Sequence, residues 1–204
     1  MYILIEKHNV INYIKESIEK GKKLVLDEQG YYHHNTEYRN GVSVAKHGIL
    51  SLKRLNELGI RSDQDLSRFD NISHVNGIDG ISLSVVGLTD LYKDEDEYNP
   101  FDSFFIDFTI SKSIKATRKT NHYGNEFITT DDILLSDIKT IDFSLLKYIE
   151  TSNDIDDIVF RYNTMLQIIK EINDKNILIR EISCKEKVLL NSMNKFPYIK
   201  TNVS

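Results

Sequence analysis

The stretch Ser103-Phe104-Phe105-Ile106-Asp107-Phe108-Thr109-Ile110-Ser111 decides the fold class. Its apolar residues alternate, with Phe104, Ile106, Phe108 and Ile110 on one side. A period of two is the signature of a strand that buries one face. Working outward, Ile81 to Val86 is a second strand, with Ile81, Leu83 and Val85 on one face and Ser82 and Ser84 on the other. Glu126 to Thr130 and Ile138 to Phe143 are shorter strands, and Tyr31 to Thr36 is a strand rich in aromatic residues. Lys22 to Leu26 and Asn176 to Ser183 also read as extended. Helices flank these strands. Val10, Ile11, Ile14 and Ile18 recur at helical spacing from an N-cap at Asn9 through about Lys23, and Ile155 to Asp174 carries apolar residues at a 3.6 period. Between them, Asn40-Gly41 reads as a turn and Val42 to Lys46 as a short helix ended by His47-Gly48. Ser51 opens a further helix, and Ser62 to Asp65 has capping-box spacing. Helices come early and late, with no regular strand-helix alternation in the middle. That order predicts an α+β fold with a mostly antiparallel sheet rather than a doubly wound parallel one.

The chain has 204 residues, which allows one domain, 1–204. We expect a core over 25–145 and a helical and strand appendage over 146–204. With 26 Lys+Arg against 31 Asp+Glu, the formal charge is −5, which disfavours a broadly basic nucleic-acid coat protein. Cys184 is the single cysteine, so neither an intramolecular disulfide nor a cysteine zinc cluster can form, and a reduced cytoplasmic setting is expected. No apolar run reaches the length of a membrane span, and no metal-binding motif or phosphate-cradling glycine loop occurs. Asp94 to Glu97 reads as a solvated acidic loop. Asn-Thr after His34 gives one His-x-Thr, but a phosphoesterase of that kind needs two, and no second copy exists.

Three clusters remain. Tyr31-Tyr32-His33-His34-Asn35-Thr36 places two histidines on opposite faces of a strand. Ser82 and Ser84 share one side of another. Glu126 opens a strand after the turn Tyr123-Gly124-Asn125, so the backbone fixes its position.

In this order and spacing the clusters resemble the ADP-ribosyltransferase-like superfamily. It includes the diphtheria-toxin and poly-ADP-ribose-polymerase group, the tRNA 2′-phosphotransferases and the DarT-like DNA-modifying toxins. The family pattern runs from an aromatic-His-x-Thr strand, through a short helix ending in glycine and a Tyr or Ser-x-Ser strand, to a strand opening with Glu. Here these are Tyr32 to Thr36, Val42 to Gly48, Ser82-Leu83-Ser84 and Glu126. The chain departs from the pattern in having Ser-Leu-Ser in place of the tyrosine of the histidine-class enzymes, and two histidines competing for one role.

The resemblance implies split, mostly antiparallel sheets and a glycosyltransferase that uses NAD as substrate to modify an unidentified protein, nucleic acid or nucleotide, in a phage or toxin setting. It implies Glu126, His34 and Ser84 as catalytic residues, and Tyr32, His33, Thr36, Ser82 and Tyr123 around NAD. No membrane or metal partner is expected. The competing expectation is a non-enzymatic interaction protein, such as a phage-type inhibitor or an antitoxin partner. The enzyme predicts that His34, Ser84 and Glu126 converge; the binding protein predicts that they scatter.

Overall fold

The structure, a computed structural model, describes residues 7–23, 31–60, 80–85, 105–118, 126–182 and 188–190. Its elements in chain order are α1 (Lys7–Glu19), β1 (Lys22–Lys23), β2 (Tyr31–Glu37), α2 (Tyr38–His47), α3 (Leu52–Glu57), β3 (Ile81–Ser84), β4 (Phe105–Ser111), β5 (Thr117–Arg118), β6 (Glu126–Thr129), β7 (Ile138–Phe143), α4 (Leu145–Thr151), α5 (Ile155–Glu171), β8 (Leu178–Glu181) and β9 (Val188–Leu189). The strands form one nine-stranded sheet in the order β1-β9-β8-β7-β4-β2-β3-β6-β5. Every pairing is antiparallel except β7 with β8. The class is therefore α+β with a mostly antiparallel mixed sheet. Where split sheets are expected, the described strands form a single sheet. It narrows to one paired position between β2 and β3, His33 opposite Ser84.

The parallel β7–β8 pair needs a crossover, and α4 and α5 supply it. Strands β8 and β9, from the C-terminal quarter, thus belong to the same sheet as β2 and β4. On one sheet face Ile106, Phe108, Ile110, Ile141, Phe143 and Ile179 are fully buried. Helix α2 packs on this face, and α5 packs on α2. Gly41 lies inside α2, not in the turn that Asn40-Gly41 suggests. A Cβ there would sit 2.5 Å from Ile106 Cδ1 and 2.8 Å from Ile168 Cδ1, so the glycine sets how closely α2 approaches β4 and α5. Gly48 ends α2 as expected, at φ +82°, and a Cβ on it would lie 2.2 Å from the carbonyl oxygen of Ile133. The adjoining Ile49 bridges to Ile133, tying the end of α2 to the approach to β7.

The helices are joined by a buried cation. Arg161 of α5 is 3% exposed and stacks 3.8 Å from the Tyr148 ring centre of α4 and 5.0 Å from that of Tyr38 of α2. Its Nε donates to Asp157 at 2.8 Å, and the Tyr148 hydroxyl donates to the same carboxylate. Burial, then that bond, raises the Tyr148 pKa. The start of α4 is held by Glu181 of β8, whose buried Oε2 accepts from the backbone N–H of Leu145 at 2.8 Å and Leu146 at 3.2 Å. This satisfies two donors that a helix start leaves open.

Candidate functional site

Directly opposed residues in a ladder share a face. The registers therefore trace a continuous row across six strands: Leu178 (β8), Thr140 (β7), Thr109 (β4), His33 (β2), Ser84 (β3) and Glu126 (β6). It lies on the face opposite Phe108 and Ile141. A second row beside it reads Arg180, Asp142, Asp107 and Asn35. Thr109, Thr140 and His33 are buried; Ser84 and Glu126 are half-buried. The row thus begins in the interior and comes to the surface where the sheet narrows.

The interior end is a polar network. Arg180 and Asp142 are both 0% exposed. Arg180 Nε donates to Asp142 Oδ1 at 2.8 Å and its terminal nitrogen to Oδ2 at 2.5 Å, a two-pronged charge-assisted pair. The same terminal nitrogen lies 3.3 Å from Thr140 Oγ1, which donates to Thr109 Oγ1 at 2.8 Å. One position along, His33 Nδ1 lies 3.1 Å from Asp107 Oδ2, with both side chains buried. A carboxylate accepts, so this bond puts the ring proton on Nδ1.

Of the expected catalytic trio, Ser84 and Glu126 stand opposite each other, and the histidine in their row is His33 rather than His34. Alternation puts His34 on the other face, opposite Phe108. Its Nδ1 donates to the Ser82 carbonyl at 2.9 Å, spanning the narrow junction. Loss of solvent around the ring lowers the His34 pKa below 6.5, outweighing the Ser82 bond and the Asp107 charge, which both raise it. Tyr32 and Thr36 share the His34 face. Tyr32 packs against Phe127 with ring centres 5.3 Å apart, and Lys112 Nζ lies 5.8 Å from its ring centre. Thr36 is buried and its hydroxyl accepts from Asn40 at 3.3 Å, which anchors the first turn of α2. Ser82 lies on the row's face, exposed, opposite Ile128. Tyr123, Asp94 to Glu97, Ser62 to Asp65 and Cys184 lie outside the described residues.

Backbones in a sheet are about 4.8 Å apart, so His33 and Glu126 are about 10 Å apart across Ser84. That is too far for direct proton exchange, and wide enough for a sugar ring to bridge them. Arg118 of β5 opposes Phe127 and so lies on the His34 face, where Lys112 reaches over the Tyr32 ring; Lys112, Lys115 and Arg118 are exposed. Among the described residues no group of three or more histidine, cysteine or acidic side chains is placed to hold a metal ion. No described helix is long and apolar enough to cross a membrane.

Sequence reasoning missed Asp107, Asp142 and Arg180. The available signal was a charged residue inside each of three short apolar strands, where exposure is the default reading. No family model matches the chain, and no curated protein or solved structure matches it.

Proposed function

We propose that the chain is an NAD-consuming ADP-ribosyltransferase whose site is the row His33–Ser84–Glu126. The observation that carries this reading is the register itself: three strands far apart in sequence bring an imidazole, a hydroxyl and a carboxylate onto one face in one line. The chemistry fits those groups. Breaking the bond between nicotinamide and ribose sends the bonding electrons out with nicotinamide and leaves an oxocarbenium-like sugar, which the acceptor's nucleophile then captures. A carboxylate beside that sugar stabilises the cation as it develops. Glu126 takes this role and receives the ribose 2′-hydroxyl. Ser84, with Ser82 beside it on the same strand face, lines the nicotinamide side. His33 binds the far ribose, the part that the resemblance gives to the strand-borne histidine.

A second reading, a non-enzymatic binding protein, is favoured by one observation: His33 is 3% exposed and tied to Asp107, as a structural histidine would be. Nicotinamide release separates the two. With a cell extract as acceptor source, the wild type should bind NAD and release nicotinamide. Glu126→Gln should keep NAD binding and lose turnover by about 10²-fold or more, because the lost charge acts mainly in the transition state. A wild type that neither binds NAD nor releases nicotinamide would leave the binding-protein reading standing.

A further inference from the structure

We infer that Asp107 is a positioning residue for His33. By accepting from Nδ1 it fixes the tautomer, with the proton on Nδ1 and the lone pair on Nε2. The inference rests on the Ser84–Glu126 row being the site, and the observations behind it are separate from the ones that led there.

Asp107 is not in the His33–Ser84–Glu126 row. It sits one pleat along on β4, opposite Asn35, diagonal to His33, with its Oδ2 3.1 Å from the His33 ring. Directly opposite it on β7 stands Asp142, a second fully buried carboxylate. Two carboxylates at neighbouring buried positions would repel and compete for the same donors. Here they do not compete, because Arg180 engages both oxygens of Asp142. The Arg180 pair therefore acts as a brace. It commits Asp142 to β8 and leaves the Asp107 bond directed at the histidine. A carboxylate behind an imidazole raises the basicity of the far nitrogen and prevents the ring from turning. Ser84 stands opposite His33 on β3.

The test is the tautomer of each histidine, read from imidazole 15N resonances of the full chain at a pH where free imidazole is neutral, with His33→Gln used to assign the His33 signals. In the wild type, His33 should carry its proton on Nδ1. In Asp107→Asn, whose amide can donate to Nδ1, the His33 proton should move to Nε2. His34, bonded to the Ser82 carbonyl, should keep its signal and so report an intact junction. In nicotinamide release, Asp107→Asn should raise the KM for NAD about tenfold or more with little change in kcat, because His33 binds the far ribose rather than the reacting centre. A wild-type His33 bearing its proton on Nε2 overturns the inference, and this holds even if the variant fails to fold. A tautomer that moves in a folded Asp107→Asn while the KM for NAD stays unchanged overturns it as well. If the tautomer moves but the wild type releases no nicotinamide, the ADP-ribosyltransferase reading fails, and with it the role assigned to Asp107, although the His33–Asp107 bond itself is confirmed.

Discussion

Asp107 and Asp142 face each other across β4 and β7, equally buried, yet they live in different electrostatic circumstances. Asp142 is held by a guanidinium on the neighbouring strand, a permanently charged group with two parallel bonds. Asp107 bonds through Oδ2 to the His33 imidazole, at the junction where the sheet narrows. The first arrangement resists change and suits a brace. The second joins one carboxylate oxygen to a ring in the proposed site. Buried polarity in this sheet is therefore of two kinds, and burial alone does not tell them apart.

The largest effect should come from breaking the brace. Arg180→Met leaves Asp142 buried and uncompensated, and urea unfolding should show a loss of about 3–5 kcal/mol. The double variant Asp142→Leu with Arg180→Met should recover most of that loss, since an apolar pair of similar volume removes the stranded charge. A double variant as unstable as the single one would mean that the network, not the ion pair, holds β7 to β8. A smaller effect follows at the other carboxylate. His33→Gln should cost about 1–3 kcal/mol, the range for removing one partner of a buried hydrogen bond. A loss as large as that of Arg180→Met would erase the distinction between brace and site.

The smallest effect concerns His34. Its pKa is lower in the folded chain than in the unfolded one, so the unfolded chain binds the proton more readily. Stability should therefore fall as the pH drops through about 6.5 and level off below the folded-state pKa. In His34→Gln this component should vanish, and denaturation curves at neutral pH and at about pH 5 should lie closer together than in the wild type. An undiminished acid loss would assign the acid sensitivity to other groups.

The strands that pattern most strongly were legible in the sequence. β4, β7 and the helix α5 follow from alternation and from the 3.6 period, because one face of each is apolar and covered. The Ser51 cap was legible too: its side chain accepts from the Arg54 N–H at 3.3 Å. What escaped was the second buried face. Alternation identifies the apolar side and is silent about the other, so nothing in it marks Asp107, Asp142 and Arg180 as buried among partners on neighbouring strands. Asn40-Gly41 misled for a related reason. A glycine required for close helix approach looks locally the same as a glycine required for a turn. Between His33 and His34, one strand alone offers no choice; pairing with Ser84 is a tertiary fact, and it puts His33 in the Ser84 row.

One feature of the topology bears on how the protein is made. β1, near the start of the chain, pairs with β9: Lys22 opposite Leu189, and Lys23 opposite Val188. β8, which carries Arg180, sits between β9 and β7. A ribosome delivers residues in order, so Asp142 emerges before the cation that neutralises it, and β1 waits for a partner until nearly all of the described chain has been synthesised. Nascent chains halted after α5 should therefore expose the β7 edge and one uncompensated carboxylate, and should bind chaperones and resist protease less well than chains released past Leu190.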